Sequence, residues 1–314
     1  MTTARMMTRQ AGRPDAAGAR AGTARRRRSR LGDGEPERAR WPRVDGAPHP
    51  RVRSLLARGY AGFTDATKPS RLVIPASAAV PLVLKIRDSA ERPPAFVHGV
   101  HRSYAAMIGA CAPTYLEAWL APLGAYALLG LPMDELEGQV VDLGDVVGAA
   151  AGRRLTERVR EAPTWGDRFA LMDEFLLRRA AEGPRPSPEV GWAWRRLVIT
   201  GGRIPISRLA GEVGWSHKRL IAGFRRQIGL PPKTAARLVR FDQLLARLDE
   251  RRPPRWDQLA AEGGYSDQAH LVRDFREFTG AAPTAFMARV LASPQAAPAP
   301  SWTRTRTSGR PPQP

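Results

Sequence analysis

Glutamine and arginine side chains stand at outward positions of a helix predicted near residue 270, where they could form hydrogen bonds with base edges. Leu271 and Phe275 lie four residues apart and are expected to face the core, which turns Gln268 and Arg273 outward. A glutamine amide can pair with adenine and an arginine guanidinium with guanine in a major groove, each contributing about 1–3 kcal/mol of discrimination. The alternative is that these are ordinary solvated side chains. The full outward set predicted for this helix is Gln268, Ala269, Val272 and Arg273.

This helix belongs to the second copy of an internal repeat. Residues 209–232 read LAGEVGWSHKRLIAGFRRQIGLPP, and residues 259–283 read LAAEGGYSDQAHLVRDFREFTGAAP. Each copy predicts a short helix, a glycine turn at Gly214 or Gly264, a capping residue and a longer helix that ends at glycine. This order of elements describes a helix-turn-helix unit. In the first copy the residues expected to face outward are Lys218, Ile221 and Ala222.

The caps of the two longer helices bear on phosphate binding. Ser216 is predicted to cap the helix of the first copy, and Ser266 or Asp267 that of the second. The N-terminal amides and the helix dipole then remain available to a phosphate. Pro232 is expected to open a long helix through Leu248 that connects the two units as a rigid strut. Two such units in one basic region indicate double-stranded DNA as the partner.

The formal charge of +20 is distributed unevenly along the 314 residues. Residues 51–189 hold 17 basic and 16 acidic side chains, whereas residues 190–290 hold 18 and 9. The repeat region and both chain ends are therefore the segments expected to meet a polyanion. Nucleotide bias is an alternative explanation for the arginine-rich ends, but the spacing within the repeat is specific.

Composition and hydrophobic periodicity change along the chain. They predict an α+β protein with a strand-rich N-terminal domain of the sensor or dimerisation type, followed by an all-α domain. The runs RLVIP, VPLVLKI, AFVHGV, YAAMIGA and TYLEAWL predict strands in a small barrel or sandwich. One amphipathic helix is expected from Asp145 to Val159, and Thr164 and Ser187 are expected to cap two further helices. The predicted segments are a disordered Arg-rich arm over 1–58, a regulatory domain over 59–182, a Pro-rich linker over 183–188, a DNA-binding domain over 189–292 and a disordered tail over 293–314.

Several site classes are disfavoured by the sequence. The lone cysteine, Cys111, excludes an internal disulfide and a multi-cysteine zinc site, and it is expected to be a buried thiol. His98 and His101 form an HxxH pair without further ligands nearby, so we expect two partly exposed structural histidines and no metal or cofactor. The apolar stretch 118–133 contains two prolines and is too short to cross a membrane. A soluble, cytoplasmic protein is expected, because no secretory signal is evident.

Residues 189–291 resemble the DNA-binding domain of the AraC/XylS family of bacterial transcription regulators. The resemblance is carried by LAGEVGWS at 209–216, by LAAEGGYSDQAHL at 259–271 and by the one-residue difference between the two copies. It implies seven helices, with two recognition helices entering successive major-groove segments about 34 Å apart on one DNA face. The base-reading residues that it implies are Lys218, Ile221, Ala222, Gln268, Ala269, Val272 and Arg273. The phosphate-contacting residues are Ser216, Arg225, Arg226, Lys233, Ser266 and Arg276.

The first unit departs from the family pattern. Ile221, Ala222 and Gly223 offer little hydrogen-bonding capacity, although methyl contacts with thymine remain available. Either Lys218 and His217 read bases there, or most sequence specificity resides in the second unit.

A weaker likeness covers the middle of the chain. The strings APLGAYALLGLPMDELEGQVVDLGDVVG and WGDRFALMDEFLLRR resemble N-terminal regions of certain AraC-type regulators. That likeness implies a small-molecule effector or a homodimer, and the function as a whole implies RNA polymerase as a further partner. Two alternatives stay open: a non-specific, nucleoid-type DNA-binding protein, and an enzyme of the DNA alkyl-transfer class. The alkyl-transfer chemistry is disfavoured because it needs several activated cysteines.

Overall fold

The computed structural model describes residues 43–64, 71–87, 92–108, 114–248 and 254–292, all of which lie in one compact unit that spans Arg38–Pro314. The strands are β1 Arg43–Gly46, β2 Tyr60–Thr64, β3 Arg71–Ile74, β4 Val80–Lys85, β5 Ala95–His98, β6 Ala105–Ile108, β7 Thr114–Leu120 and β8 Val140–Asp142. The helices before the linker are α1 Pro50–Arg53, α2 Pro122–Leu129, the 3₁₀ turn Met133–Leu136, α3 Leu143–Val147, α4 Ala149–Glu161 and α5 Trp165–Glu182. Those after it are α6 Pro188–Ile199, α7 Ile206–Glu212, α8 His217–Ile228, α9 Pro232–Leu245, α10 Trp256–Gly263, α11 Gln268–Thr279 and α12 Pro283–Ala292.

The N-terminal half, whose described residues lie within 43–182 and which we call the sheet region, is built on an antiparallel sheet with the strand order β1-β2-β7-β4-β5-β8, and β3 and β6 pair separately. The five apolar runs predicted as strands form β3 to β7, which confirms the strand-rich region. Residues of β7 alternate between buried and half-buried, so Leu116, Ala118 and Leu120 face the core. The buried face of α5, which carries Phe169, Met172 and Phe175, belongs to the same core.

Ordered structure begins earlier than the sequence predicted. β1 and α1 lie within residues 43–58, which were assigned to the disordered arm. β1 pairs with β2 from Arg43 opposite Phe63 to Gly46 opposite Tyr60. Backbone hydrogen bonds hold this edge strand of four residues, and they do not depend on the type of side chain. The strand therefore shows no alternation of apolar residues in the sequence. The rest of the predicted arm, the predicted tail over 293–314 and Cys111 lie outside the described residues.

The helix expected from Asp145 to Val159 is two helices, and this prediction was wrong. Gly148 separates α3 from α4 with φ = +94°, a conformation that favours glycine and stops the first helix. The two predicted caps nearby are confirmed. Thr164 Oγ1 accepts from the Asp167 amide in a capping box, and Ser187 Oγ accepts from the Val190 amide at 3.2 Å.

The C-terminal region is all-helical, as expected. Its described residues, 188–248 and 254–292, form the seven helices α6 to α12. The connecting helix α9 ends at Leu245 rather than Leu248, and its buried face presents Phe241 to α11. The ring of Phe241 meets those of Phe275 and Phe278 edge to face, at centroid distances of 4.9 and 5.2 Å. The predicted α+β class is therefore confirmed.

The burial of the histidine pair differs from the prediction. His98 and His101 are buried, at 5% and 8% exposure, so the prediction that they are partly exposed was wrong. Their Nδ1 and Nε2 atoms lie 2.5 Å apart, so the two imidazoles satisfy each other inside the protein. Among the described residues, every helix is too short or too polar to span a bilayer.

Candidate nucleic-acid interface

The first repeat folds into a helix, a glycine turn and a second helix. α7 is followed by Gly214, whose φ of +68° lets the chain reverse without the strain that a side chain would bring. Ser216 then caps α8, because its side chain accepts a hydrogen bond from the Arg219 amide at 3.2 Å. This confirms Ser216 as the predicted cap. Leu220 and Phe224 are fully buried, so the opposite face of α8 points away from the core.

The second repeat has the same geometry with a different cap. Gly264 makes the turn at φ = +73°, and Asp267 Oδ1 accepts from the His270 amide at 2.7 Å. Ser266 is not the cap; its hydroxyl donates to Asp267 Oδ2 at 3.1 Å. The backbone hydrogen bond from His270 lowers the pKa of Asp267, which keeps a carboxylate at the start of α11. The N-terminus of α11 therefore begins at a negative charge, whereas α8 begins at a neutral serine.

The predicted contact residues differ in how far they are exposed at the surface. Ile221 and Val272 are half-buried, beside the buried Leu220 and Leu271. The remaining predicted residues are exposed, namely Ser216, Lys218, Ala222, Arg225, Arg226, Lys233, Ser266, Gln268, Ala269, Arg273 and Arg276. The two half-buried side chains can therefore offer only an apolar edge to a ligand.

The basic side chains predicted to contact DNA differ from several arginines elsewhere in the region that form ion pairs. Within the described residues, no hydrogen bond or ion pair involves the side chains of Lys218, Arg225, Arg226, Lys233, Arg273 or Arg276. By contrast, Arg196 and Arg208 both pair with Glu212, and Arg237 pairs with Asp274 and Glu277. Cations without a direct ion pair keep their charge available for phosphates, and of these Arg273 also interacts electrostatically with Asp267.

The two recognition helices also differ in charge. α8 carries Lys218, Arg219, Arg225 and Arg226 and no acidic residue. α11 carries two arginines together with Asp274 and Glu277, both of which contact Arg237. The first unit therefore presents the stronger positive field. At the predicted base-reading positions, the second unit has two hydrogen-bonding side chains, Gln268 and Arg273, whereas the first has only Lys218.

Sequence reasoning missed Arg219. This side chain is exposed, and its guanidinium lies 4.5 Å from the ring centroid of Trp215, in the turn between the helices. It lies seven residues before Arg226, so the two share one side of α8. Helical spacing from Arg226 was the signal that could have identified it. Cation–π contact with Trp215 holds the guanidinium close to the N-terminus of the recognition helix.

A family comparison agrees with this geometry. Residues 209–289, which span both repeats and the start of α12, match the family model described as a helix-turn-helix domain. The match supports a helix-turn-helix domain of the AraC type in this segment. A domain of this kind supports a DNA-binding transcription regulator.

Comparison with solved structures finds ToxT from Vibrio cholerae. The structure of ToxT from strain O395 is 10% identical, with a TM-score of 0.39 over 73% of this chain and 97% of that chain. A second ToxT structure is 9% identical, with a TM-score of 0.39 over 79% and 97%. A third, bound to (E)-4-(8-methylnaphthalen-1-yl)but-3-enoic acid, is 10% identical, with a TM-score of 0.38 over 79% and 98%. No significant match was found among curated proteins. The domain assignment depends on the family match and on the geometry above.

Proposed function

We propose that this protein is a sequence-specific transcription regulator whose two helix-turn-helix units bind successive major-groove segments on one face of DNA. One observation carries the proposal. Both recognition helices bury one face through a Leu–Phe pair and leave the opposite face exposed, with cations that make no direct ion pair among the described residues. An exposed helix face of this kind fits the major groove, and free arginines and lysines suit its phosphate borders.

The two units are proposed to divide affinity and specificity between them. α8 has four cations, but its outward centre consists of Ala222 beside the half-buried Ile221. Such a helix can bind phosphates and thymine methyl groups, yet it has few donors for base edges. α11 exposes Gln268 and Arg273, which suit adenine and guanine. Most base reading is therefore assigned to the second unit and most phosphate affinity to the first.

The remaining partners are proposals of the same kind. The sheet region is proposed to adjust the DNA affinity of the helical region, either through a small-molecule effector or through a homodimer. RNA polymerase is proposed as the partner through which bound protein changes transcription. The non-specific, nucleoid-type alternative is kept, because the apolar centre of α8 favours binding without a sequence code.

Selection of bound sequences from random duplex DNA tests the proposal. The full-length chain is used at one fixed salt concentration, since affinity for phosphates depends strongly on salt. We expect an asymmetric motif that covers about two major-groove segments, with its more constrained half at the second unit. A doubled motif would add that the protein dimerises on DNA. Tight binding without enrichment of any sequence would instead support the non-specific alternative.

A further inference from the structure

The C-terminal ends of both recognition helices rest against the sheet region. One short segment between β5 and β6, Gly99–Tyr104, contacts both ends, and we call it the bridging loop. The exposed outward faces and N-terminal turns of the same helices point elsewhere. The sheet region therefore contacts the recognition helices without covering the surfaces assigned to DNA.

The end of α11 is capped by groups from the sheet region. Ser103 Oγ and the Tyr104 amide both donate to the carbonyl oxygen of Glu277, at 2.8 and 3.3 Å. The Ala76 amide donates to the carbonyl oxygen of Phe278 at 2.8 Å. The last carbonyls of a helix have no partner within the helix, so these three donors supply what the helix cannot. These three hydrogen bonds thus hold the C-terminal end of the second recognition helix against the sheet region.

The ring of Tyr104 strengthens this contact. A Cβ atom on Gly280, the residue that ends α11 at φ = +70°, would lie 2.9 Å from the Tyr104 ring. Such a distance leaves no room for a side chain, so the ring lies directly on the glycine backbone. Tyr104 is one of the large apolar side chains that remain exposed, at 41%. Its position is accounted for by this contact with the helix end.

The end of α8 is held by the same loop. Gly229 ends this helix at φ = +85°, and a Cβ there would lie 2.6 Å from Val100 Cγ2 and 2.9 Å from the carbonyl oxygen of Met133. Val100 and Met133 are both fully buried. The first recognition helix is therefore seated on the sheet region through close packing, whereas the second is held mainly by hydrogen bonds.

We propose that the bridging loop fixes the separation of the two recognition helices, and that Ser103 and Tyr104 are positioning residues for base reading by α11. The inference rests on the proposed function. Two reading helices held rigidly match one spacing of their DNA segments, about one helical turn. One added base pair moves the second segment by about 3.4 Å and rotates it around the DNA axis, which a rigid pair cannot follow.

The first test measures how binding depends on spacing. The full-length protein is titrated with the selected duplex and with duplexes that have one base pair inserted or removed between the two segments. The wild-type protein should bind the selected duplex much more tightly than the duplexes with altered spacing. Ser103→Ala should reduce the ratio of these affinities by about three-fold to ten-fold, because one hydrogen bond to the helix end is lost. Ser103→Thr keeps a hydroxyl donor and should restore the ratio. Ser54→Ala removes an exposed hydroxyl of the sheet region and should leave the ratio unchanged.

An unchanged ratio in Ser103→Ala would overturn the proposal. A second measurement does not depend on sequence preference, so it separates this inference from the proposed function. Hydrogen exchange of the Ala76 and Tyr104 amides is followed in the full-length protein before and after DNA is added. Retained or increased protection in the complex supports a docked loop during DNA binding. Faster exchange with DNA would show that the sheet region leaves the helices, and the loop would then have no positioning role.

Discussion

Arg237, on the helix that joins the two units, forms an ion pair of 2.6 Å with Asp274, which is buried at 1% exposure on the second recognition helix. The same guanidinium also binds Glu277 at 2.6 Å, one turn further along α11. The ion pair thus links the connecting helix to the helix assigned to base reading. Both acidic residues of α11 are therefore engaged by one guanidinium.

Replacement of Arg237 should destabilise the helical region. Arg237→Ala leaves the Asp274 carboxylate buried without its partner, and breaking a buried pair in this way costs about 3–5 kcal/mol of unfolding free energy. Urea unfolding measures the loss. Arg208→Ala is the matched control, because the Arg208–Glu212 pair has an arginine that is 68% exposed and should contribute less than about 1 kcal/mol. Equal losses of unfolding free energy in the two variants would show that the buried pair stabilises the protein no more than the exposed pair does.

Single replacements of two arginines on α11 should distinguish base reading from phosphate binding. Arg273 and Arg276 are both exposed on α11 and make no ion pair within the described residues. Arg273→Ala should weaken binding to the preferred sequence by about 1–3 kcal/mol and relax the preference at one base pair. Arg276→Ala should weaken all sequences alike and reduce the salt slope by about 1.

Arg225→Ala applies the same test to the first unit and should behave like Arg276→Ala. The measurement is titration of each variant with the selected duplex and with random duplex at several salt concentrations. Equal losses on selected and random DNA for Arg273→Ala would contradict the assignment of Arg273 to base reading.

The sequence predicts the helix-turn-helix units well because their determinants are local. Leu220 and Phe224 set the buried face of α8 by their spacing, and Gly214 and Ser216 mark the turn and the cap. The sequence could not choose between Ser266 and Asp267, since both can cap a helix. The choice follows from the hydrogen bond to the His270 amide.

The contact of the sheet region with the recognition helices could not be predicted. Its acceptors are the backbone carbonyls of Glu277 and Phe278, and every residue has such a group. Only the fold brings Ser103 and Ala76 to them from more than 170 positions away in the sequence. Burial of the histidine pair was missed for the same reason, because it depends on strands that pair over long sequence distances.

Stability should fall in mild acid because of the two buried histidines. Burial lowers the pKa of His98 to about 3 and that of His101 to about 4, from an ordinary value near 6.5. Arg92 and the neighbouring imidazole add to the shift at His98. Between pH 6.5 and 4 the unfolded chain binds protons that the folded chain cannot accept. The free energy of unfolding then decreases as pH falls, by up to about 1.4 kcal/mol per pH unit for each imidazole.

Urea unfolding between pH 4.5 and 7.5 checks this prediction. The double variant His98→Gln/His101→Asn lacks both imidazoles and should show a shallower decrease than the wild type. A double variant with the wild-type slope would show that other groups cause the acid sensitivity.

Asp242 should destabilise the protein at neutral and alkaline pH. This residue of α9 is 3% exposed, its Oδ2 atom has no hydrogen-bond partner among the described residues, and burial raises its pKa well above the ordinary value. Above pH 4 the unfolded chain releases this proton while the folded chain retains it, so stability falls as pH rises toward the folded pKa. Asp242→Asn has nearly the same shape and no proton to release.

We therefore expect Asp242→Asn to raise the free energy of unfolding at pH 8 and to have little effect at pH 4. Asp257→Asn is the control of opposite sign. Asp257 is exposed, and its hydrogen bond with Arg255 lowers its pKa, so its replacement should give no gain at pH 8. A gain for Asp242→Asn that is the same at pH 4 and pH 8 would mean that packing, rather than the buried proton, causes the effect.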